Sequence, residues 1–138
     1  MSYEYWLDAR ANCAFVRFFE PYTVGEGVSL NRSIANSVEF TPGMNILKDY
    51  SPIRAPKGYD YDFAFSQARR LVEIDAGMPT PCQIALVAST DPVYGFLRQL
   101  AILTAENTVR RAAFRCLVDA CEWLGLPRDY RVRFSPPT

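Results

Sequence analysis

The sequence predicts a single α/β domain built on a mixed, mostly parallel five-stranded sheet. Segments with strand patterns alternate with segments of helical periodicity, in the order β-β-α-β-α-β-α-β-α. This alternation is typical of parallel strands joined by right-handed crossovers, and the opening pair of strands adds one antiparallel pairing. The chain of 138 residues has the length of one domain. We therefore expect one unit over residues 1–138, with its core at about 3–126 and a C-terminal extension over 127–138.

The first part of the chain predicts three strands and one helix. Residues 3–8 alternate between the two faces of a strand, and residues 13–20 are rich in aromatic and β-branched side chains. The run Gly25-Glu26-Gly27 interrupts the chain, and apolar side chains then recur at helical spacing over residues 28–39. Residues 44–49 are typical of a short buried strand.

The middle of the chain predicts a loop, a helix and a buried strand. Residues 50–59 contain two prolines and a glycine without periodicity, which indicates a long loop. Asp60 or Asp62 is a suitable N-cap for a helix that runs to about residue 76. The continuous apolar run over residues 82–89 indicates a strand that is buried on both faces.

The last part of the chain predicts two helices and one core strand, followed by an additional strand. Asp91 is the expected N-cap of a helix that ends near residue 107, because proline follows it at the first helical position. A strand over residues 110–116 and a short helix over residues 117–124 follow. Residues 129–134 alternate again and predict an extra edge strand.

Composition excludes several kinds of chemistry. The chain has no histidine, which removes histidine-dependent nucleophile pairs and every histidine metal site. Fifteen basic residues balance fifteen acidic residues, which argues against a broadly basic surface for nucleic acid. No nucleophile has an adjacent base in the sequence. We expect a protein that is not an enzyme and has no cofactor, no metal and no nucleic-acid partner.

Four cysteines lie among apolar neighbours, so we expect buried structural thiols. They do not form a Cys-x-x-Cys pair, the spacing typical of zinc and redox sites. The start of the chain lacks the apolar run of a signal peptide, and no stretch approaches the roughly 18 apolar residues of a membrane span. These features favour a cytoplasmic protein without a membrane span. The cysteines are Cys13, Cys82, Cys116 and Cys121.

Three phrases of the sequence resemble small bacterial STAS-like proteins of the anti-sigma-factor antagonist type. Residues 38–49 (VEFTPGMNILKD) are similar to a helix-turn-strand of that family. Residues 84–89 (IALVAS), followed by Val93-Tyr94-Gly95, are similar to its fourth strand and third helix. Phe114-Arg115, with residues 120–125 (ACEWLG), is similar to its closing strand and helix.

The resemblance implies a mixed sheet with helices packed to one side and a role in protein–protein regulation. In phosphorylated members of the family, a serine motif opens the second helix, but residues 59–66 (YDYDFAFS) lack it. Ser51 and Ser66 are the remaining candidates for phosphorylation. Lipid-transfer proteins of the CRAL-TRIO type share part of this topology, and they imply a hydrophobic ligand instead.

Partners and ligands of open α/β sheets gather beyond the carboxyl ends of the parallel strands. Aromatic side chains interleaved with charge in this region suit a recognition surface, although the tyrosines could instead pack on the sheet edge with the aspartates as helix caps. The candidate partner- or ligand-binding residues are Asp49, Ser51, Arg54, Tyr59, Asp60, Tyr61, Asp62, Ser89, Thr90 and Tyr94.

Two further patterns allow a site but favour a structural role. The hydroxyls of Ser89 and Thr90 could face an anion at a helix N-terminus, but Asp91 would repel it and serves better as a cap. The paired arginines at 69–70 and 110–111 are expected to form ion pairs on solvated surfaces. Their expected partners are Glu73, Asp75 and Glu106.

The function predicted from these observations is a non-catalytic STAS-like module that binds a protein partner, with a homodimer as one form of that partner. The alternative is a small apolar ligand bound beside the sheet.

Overall fold

The computed structural model describes residues 2–22, 24–54, 61–76 and 80–136, with only the backbone over 24–28. Within these ranges, four helices and five strands follow one another in the predicted order. They are β1 (Tyr3–Asp8), β2 (Cys13–Phe18), α1 (Val24–Ala35), β3 (Asn45–Asp49), α2 (Tyr61–Ala76), β4 (Gln83–Val87), α3 (Asp91–Leu103), β5 (Arg110–Phe114) and α4 (Leu117–Trp123). The predicted α/β class and element order are confirmed.

The five strands lie side by side in chain order, from β1 at one edge to β5 at the other. β1 and β2 pair antiparallel, and the other three pairs are parallel. Lys48 of β3 lies beside Val16 on one side and Leu86 on the other. Since every parallel crossover advances in the same direction, right-handed connections carry α1, α2 and α3 to one face of the sheet.

Alternating side chains of the strands divide the core into two layers. The helical face carries Val16, Ile46 and Leu86, which pack with buried residues of α1 to α3 such as Leu30 and Phe96. The opposite face packs against α4 and the chain beyond it, and its strand residues are Cys13, Phe15, Leu47, Ala85 and Val87. The expectation that the helices pack to one side is therefore wrong for α4.

The segment after α4 lies across the opposite face instead of extending the sheet. The Tyr130 ring stacks on Phe15 with centroids 5.5 Å apart, and its hydroxyl donates to Asp8 Oδ2 at 2.6 Å. Phe134 is buried beneath the Arg17 guanidinium, 4.1 Å from the ring centroid. The edge strand predicted over residues 129–134 is wrong, because these aromatic side chains bury more apolar surface on the face than at an edge.

Helix α1 differs from its prediction at both ends. It begins at Val24, so Gly25 and Gly27 lie inside the helix and do not precede it. Glycine costs about 1 kcal/mol relative to alanine in a helix, and burial of apolar side chains farther along α1 offsets that cost. The helix ends at Ala35, and turns follow, so Val38 is 94% exposed.

Helix α3 begins one residue earlier than predicted and ends earlier. Thr90 is the N-cap, and Asp91 is the first helical residue, so the assignment of Asp91 as the cap is wrong. The Asp91 carboxylate instead pairs with Arg115 at 2.6 Å. Thr104 ends the helix as its C-cap, and its hydroxyl donates to the carbonyl of Leu100 at 2.9 Å.

A buried ion pair fixes the end of α2 against β5. Arg111 donates through Nη1 to Asp75 Oδ2 at 2.7 Å and through Nη2 to Oδ1 at 3.0 Å. The Asn107 amide also donates to Asp75 Oδ2 at 2.7 Å. The side chains of Arg111 and Asp75 are only 5% and 2% exposed, so their expected place on a solvated surface is wrong.

None of the helices within the described ranges is both long enough and apolar enough to cross a lipid bilayer.

We expect Asp75→Ala to lower the free energy of unfolding by about 3–5 kcal/mol, because it leaves the buried Arg111 guanidinium unpaired. The matched control is Asp91→Ala, which removes the exposed pair with Arg115 and should cost about 1 kcal/mol or less. Urea unfolding of both variants measures the difference. Equal losses of unfolding free energy in the two variants would contradict a buried ion pair between Asp75 and Arg111.

Candidate functional site

The helical face contains a cavity of about 410 Å³ between the sheet and helices α1 to α3. Ile46, Ile84 and Leu86 from two central strands form its floor, and all three are buried. Val93 and Leu97 of α3 form part of its wall. The cavity is therefore lined mainly by apolar side chains in the middle of the helical layer.

The cavity arises because the helices cover the face unevenly. Helix α2 packs along α3, and α3 packs along β5, whereas the described residues of α1 make no comparable contact with either helix. Leu30 and Ile34 of α1 remain buried in the core. The space between α1 and α2, above β3, is consequently not filled by side chains.

The mouth of the cavity lies between the end of α1 and the second half of α2. Four of the residues that line the cavity are exposed: Asn31 and Ala35 on α1, and Arg70 and Ile74 on α2. Ile74 is 53% exposed although it is a large apolar side chain. A ligand could therefore enter between these two helices without unfolding the sheet.

Lys48 places an amine inside the cavity. Its Nζ donates to Asn31 Oδ1 at 3.2 Å. Among the side chains that the structure describes, no carboxylate lies within ion-pair distance of Lys48. Burial and then the Arg111 charge lower the pKa of Lys48 to about 8, against the opposing effect of Asp75.

Aromatic rings close the side of the cavity near the carboxyl ends of the strands. The Phe18 and Tyr50 rings stack with centroids 4.5 Å apart, and Tyr22 meets Phe18 edge to face at 4.9 Å. Phe63 of α2 and Phe96 of α3 lie 5.7 Å apart. All five rings line the cavity, so this wall is rigid and apolar.

Five of the predicted site residues lie together beyond the ends of β3 and β4. Asp49 is buried; its Oδ2 accepts from Arg17 Nε at 2.8 Å, and its Oδ1 accepts from the Ser51 amide at 2.9 Å. The Ser89 hydroxyl donates to the Ser51 carbonyl at 2.6 Å, and the Thr90 hydroxyl donates to the Arg54 carbonyl at 3.0 Å. These bonds tie residues 50–54 to the end of β4.

The other predicted residues are spread over two helices. Tyr61, Asp62 and Ser66 are exposed on α2. Tyr94 on α3 is half-buried, and the Arg115 guanidinium lies 5.2 Å from its ring centroid. Tyr59 and Asp60 lie outside the described residues. The assignments of Ser51 and Ser66 as phosphorylation sites stay predictions.

The cysteines are free thiols. Cys13 and Cys82 are buried as expected, and burial raises the pKa of the Cys13 thiol to about 12. Cys121 is half-buried. Cys116 is exposed, so the expectation of a buried thiol is wrong there, because it caps α4 at the surface. The described residues contain no group of three or more cysteine and carboxylate side chains that could hold a metal ion.

The sequence prediction did not include the polar residues of the cavity. Lys48, Asn31 and the pair of Asp75 and Arg111 all line it. One signal was present in the sequence: in a strand over residues 44–49, the side chain of Lys48 shares a face with Ile46. A lysine on the apolar face of a buried strand indicates either an ion pair or a ligand.

Comparisons of the chain with models of protein families, with curated proteins and with solved structures give no match.

The double variant Ser89→Ala with Thr90→Val should loosen residues 50–54, since it removes both hydroxyl donors. We expect a loss of about 0.5–1.5 kcal/mol per hydrogen bond and faster exchange of the Ile53 amide, which donates to the Tyr50 carbonyl. Hydrogen exchange followed by mass spectrometry measures this. The control Ser33→Ala removes a hydroxyl bonded within α1 and should leave that exchange unchanged. Unaltered exchange in the double variant would show that the hydroxyls of Ser89 and Thr90 do not hold residues 50–54 in place.

Proposed function

We propose that this protein binds one small, mainly apolar molecule in the cavity on its helical face. The observation that carries the proposal is the volume of about 410 Å³ combined with an apolar floor and an exposed mouth. Small-molecule sites typically enclose about 300–1,000 Å³, with a few polar groups among apolar side chains. One water molecule occupies about 30 Å³ in the liquid. If each non-hydrogen atom of a ligand occupies a similar volume, the cavity suits a ligand with on the order of fifteen such atoms.

The energetics of apolar cavities also favour an occupant. Water gains few hydrogen bonds over Ile46, Ile84 and Leu86, whereas an apolar ligand buries its own surface there.

The neutral fluorescent probe N-phenylnaphthylamine should bind with saturable, one-to-one stoichiometry. Ala35→Trp should weaken this binding by about 10-fold or more, because an indole at the exposed mouth fills the entrance. The matched control is Asn36→Trp, which adds the same ring at an adjacent exposed position that does not line the cavity. Fluorescence titration measures both affinities.

Two outcomes would overturn the proposal. One is the absence of saturable probe binding to the native protein. The other is equal binding by Ala35→Trp and Asn36→Trp, which would place the probe elsewhere on the surface.

A protein-interaction module, as the STAS-like resemblance implies, is the second candidate function. Tyr61 and Phe65 support it, since they are 56% and 47% exposed on the outer side of α2. Their rings stack with centroids 6.4 Å apart. Exposed aromatic side chains of this kind are enriched in the centres of protein interfaces.

For this candidate, Tyr61→Ser with Phe65→Ser should abolish self-association or partner capture and leave the unfolding free energy within about 0.5 kcal/mol, as expected for surface positions. Analytical ultracentrifugation tests the homodimer, and affinity capture tests other partners. The control Val118→Ser removes an exposed apolar side chain of α4, on the opposite face of the sheet, and should have no effect. Unchanged association in the double variant would count against this surface.

A further inference from the structure

We propose that the ligand of this cavity is a monocarboxylate with an apolar chain, and that Lys48 binds its carboxylate while the chain lies over Ile46, Ile84 and Leu86. This inference rests on the proposed ligand-binding function and deepens it by assigning the chemical class of the ligand. Lys48 would then be the residue that separates acids from neutral molecules of the same shape.

The charges around the cavity favour an anion. Among the described residues that line it, three are cationic and one is anionic. The cations are Lys48, Arg70 and Arg111, and the anion is Asp75. Arg111 is paired with Asp75, and Arg70 is exposed to water at the mouth, so the Lys48 ammonium is the charge that a ligand with a single negative charge would meet inside the cavity.

The one carboxylate among the described lining residues, Asp75, is not available to Lys48. Both Asp75 oxygens accept hydrogen bonds from Arg111, and Oδ2 also accepts from Asn107. The Lys48 ammonium, with three donors, has one hydrogen bond to the Asn31 amide oxygen. Within the described residues, two of its donors therefore remain for a ligand that enters past Asn31 at the mouth.

The arrangement along the cavity matches an amphiphilic molecule. Lys48 projects from the middle of the sheet, between Val16 and Leu86, toward the exposed Asn31. The buried floor and the aromatic wall that includes Phe18 and Phe96 contain no charge. A carboxylate at Lys48 leaves the chain to occupy these apolar surfaces, where each buried methylene adds to the affinity.

Proton binding by Lys48 makes the affinity depend on pH. The groups whose charge acts on this amine are Arg111 from β5, Asp75 from α2 and the Cys82 thiol before β4. Arg70 and the phenols of Tyr22 and Tyr50 also line the cavity. The free amine has a pKa of about 8, and a bound carboxylate would raise that pKa. Affinity for the anion is therefore fully present below pH 8 and falls as the pH rises through this value.

The experiment compares dodecanoate with dodecanol, which has the same chain and a neutral head group. Isothermal titration calorimetry should show that the native protein binds dodecanoate about 10-fold or more tightly than dodecanol. Lys48→Met should remove this preference and retain dodecanol binding, because methionine preserves the apolar stem and relieves the burial of an amine. The control Arg98→Met removes an exposed cation of α3 that does not line the cavity, and should change neither affinity.

The pH profile supplies a second measurement. From about pH 7 to about pH 9.5, dodecanoate affinity should fall in the native protein and stay constant in Lys48→Met, and dodecanol affinity should stay constant in both. Equal affinities for acid and alcohol, or an unchanged preference in Lys48→Met, would overturn the assignment of a carboxylate while leaving the ligand-binding function intact. If neither dodecanoate nor dodecanol binds, and N-phenylnaphthylamine does not bind either, the carboxylate assignment and the ligand-binding function are both overturned.

Discussion

The paired charges of Asp75 and Arg111 constrain the arrangement of the whole helical layer. A carboxylate that is almost completely buried requires its partners in place, so the end of α2 can sit only where it meets β5 and Asn107. This contact holds α2 beside α3, over the β4 and β5 side of the sheet. Helix α1 packs on the core through its own apolar side chains, Leu30 and Ile34. The cavity lies between α1 and the pair formed by α2 and α3.

The face of the sheet opposite the cavity has a core of its own. Helix α4 and the segment through Phe134 cover that face, and the aromatic stack of Tyr130 on Phe15 joins the extension to the core. Asp8 accepts the Tyr130 hydroxyl, which raises the pKa of that phenol together with burial. The cavity and the aromatic stack of Tyr130 on Phe15 therefore lie on different faces of the same five strands.

The sequence predicted the elements of this fold well and their cavity poorly, for a physical reason. Periodicity reports which side chains of a segment share a face, so the strand over residues 44–49 and the helix that ends at Ala76 could be located from local pattern alone. The place of residues 129–134 depended on competition between edge pairing and face packing, which local alternation does not resolve. The cavity depends on the separation of α1 from α2, a distance between elements that no local pattern contains. Of the predicted site residues, Asp49, Ser51, Arg54, Ser89 and Thr90 do lie together, but they close a loop beside the cavity.

Lys48 is a charged residue on the apolar face of β3 that it shares with Ile46. A methionine or leucine there would continue the apolar face of Ile46, whereas burial lowers the pKa of the half-buried Lys48 amine. Ion pairing explains Arg111 and Arg17, each of which has a carboxylate partner, whereas the hydrogen-bond partner of Lys48 among the described residues is the neutral amide of Asn31. Sequences generally agree with their folds at every level, and departures concentrate where function requires them. An anionic ligand would supply the missing partner, so the same side chain that weakens the empty protein would strengthen the occupied one.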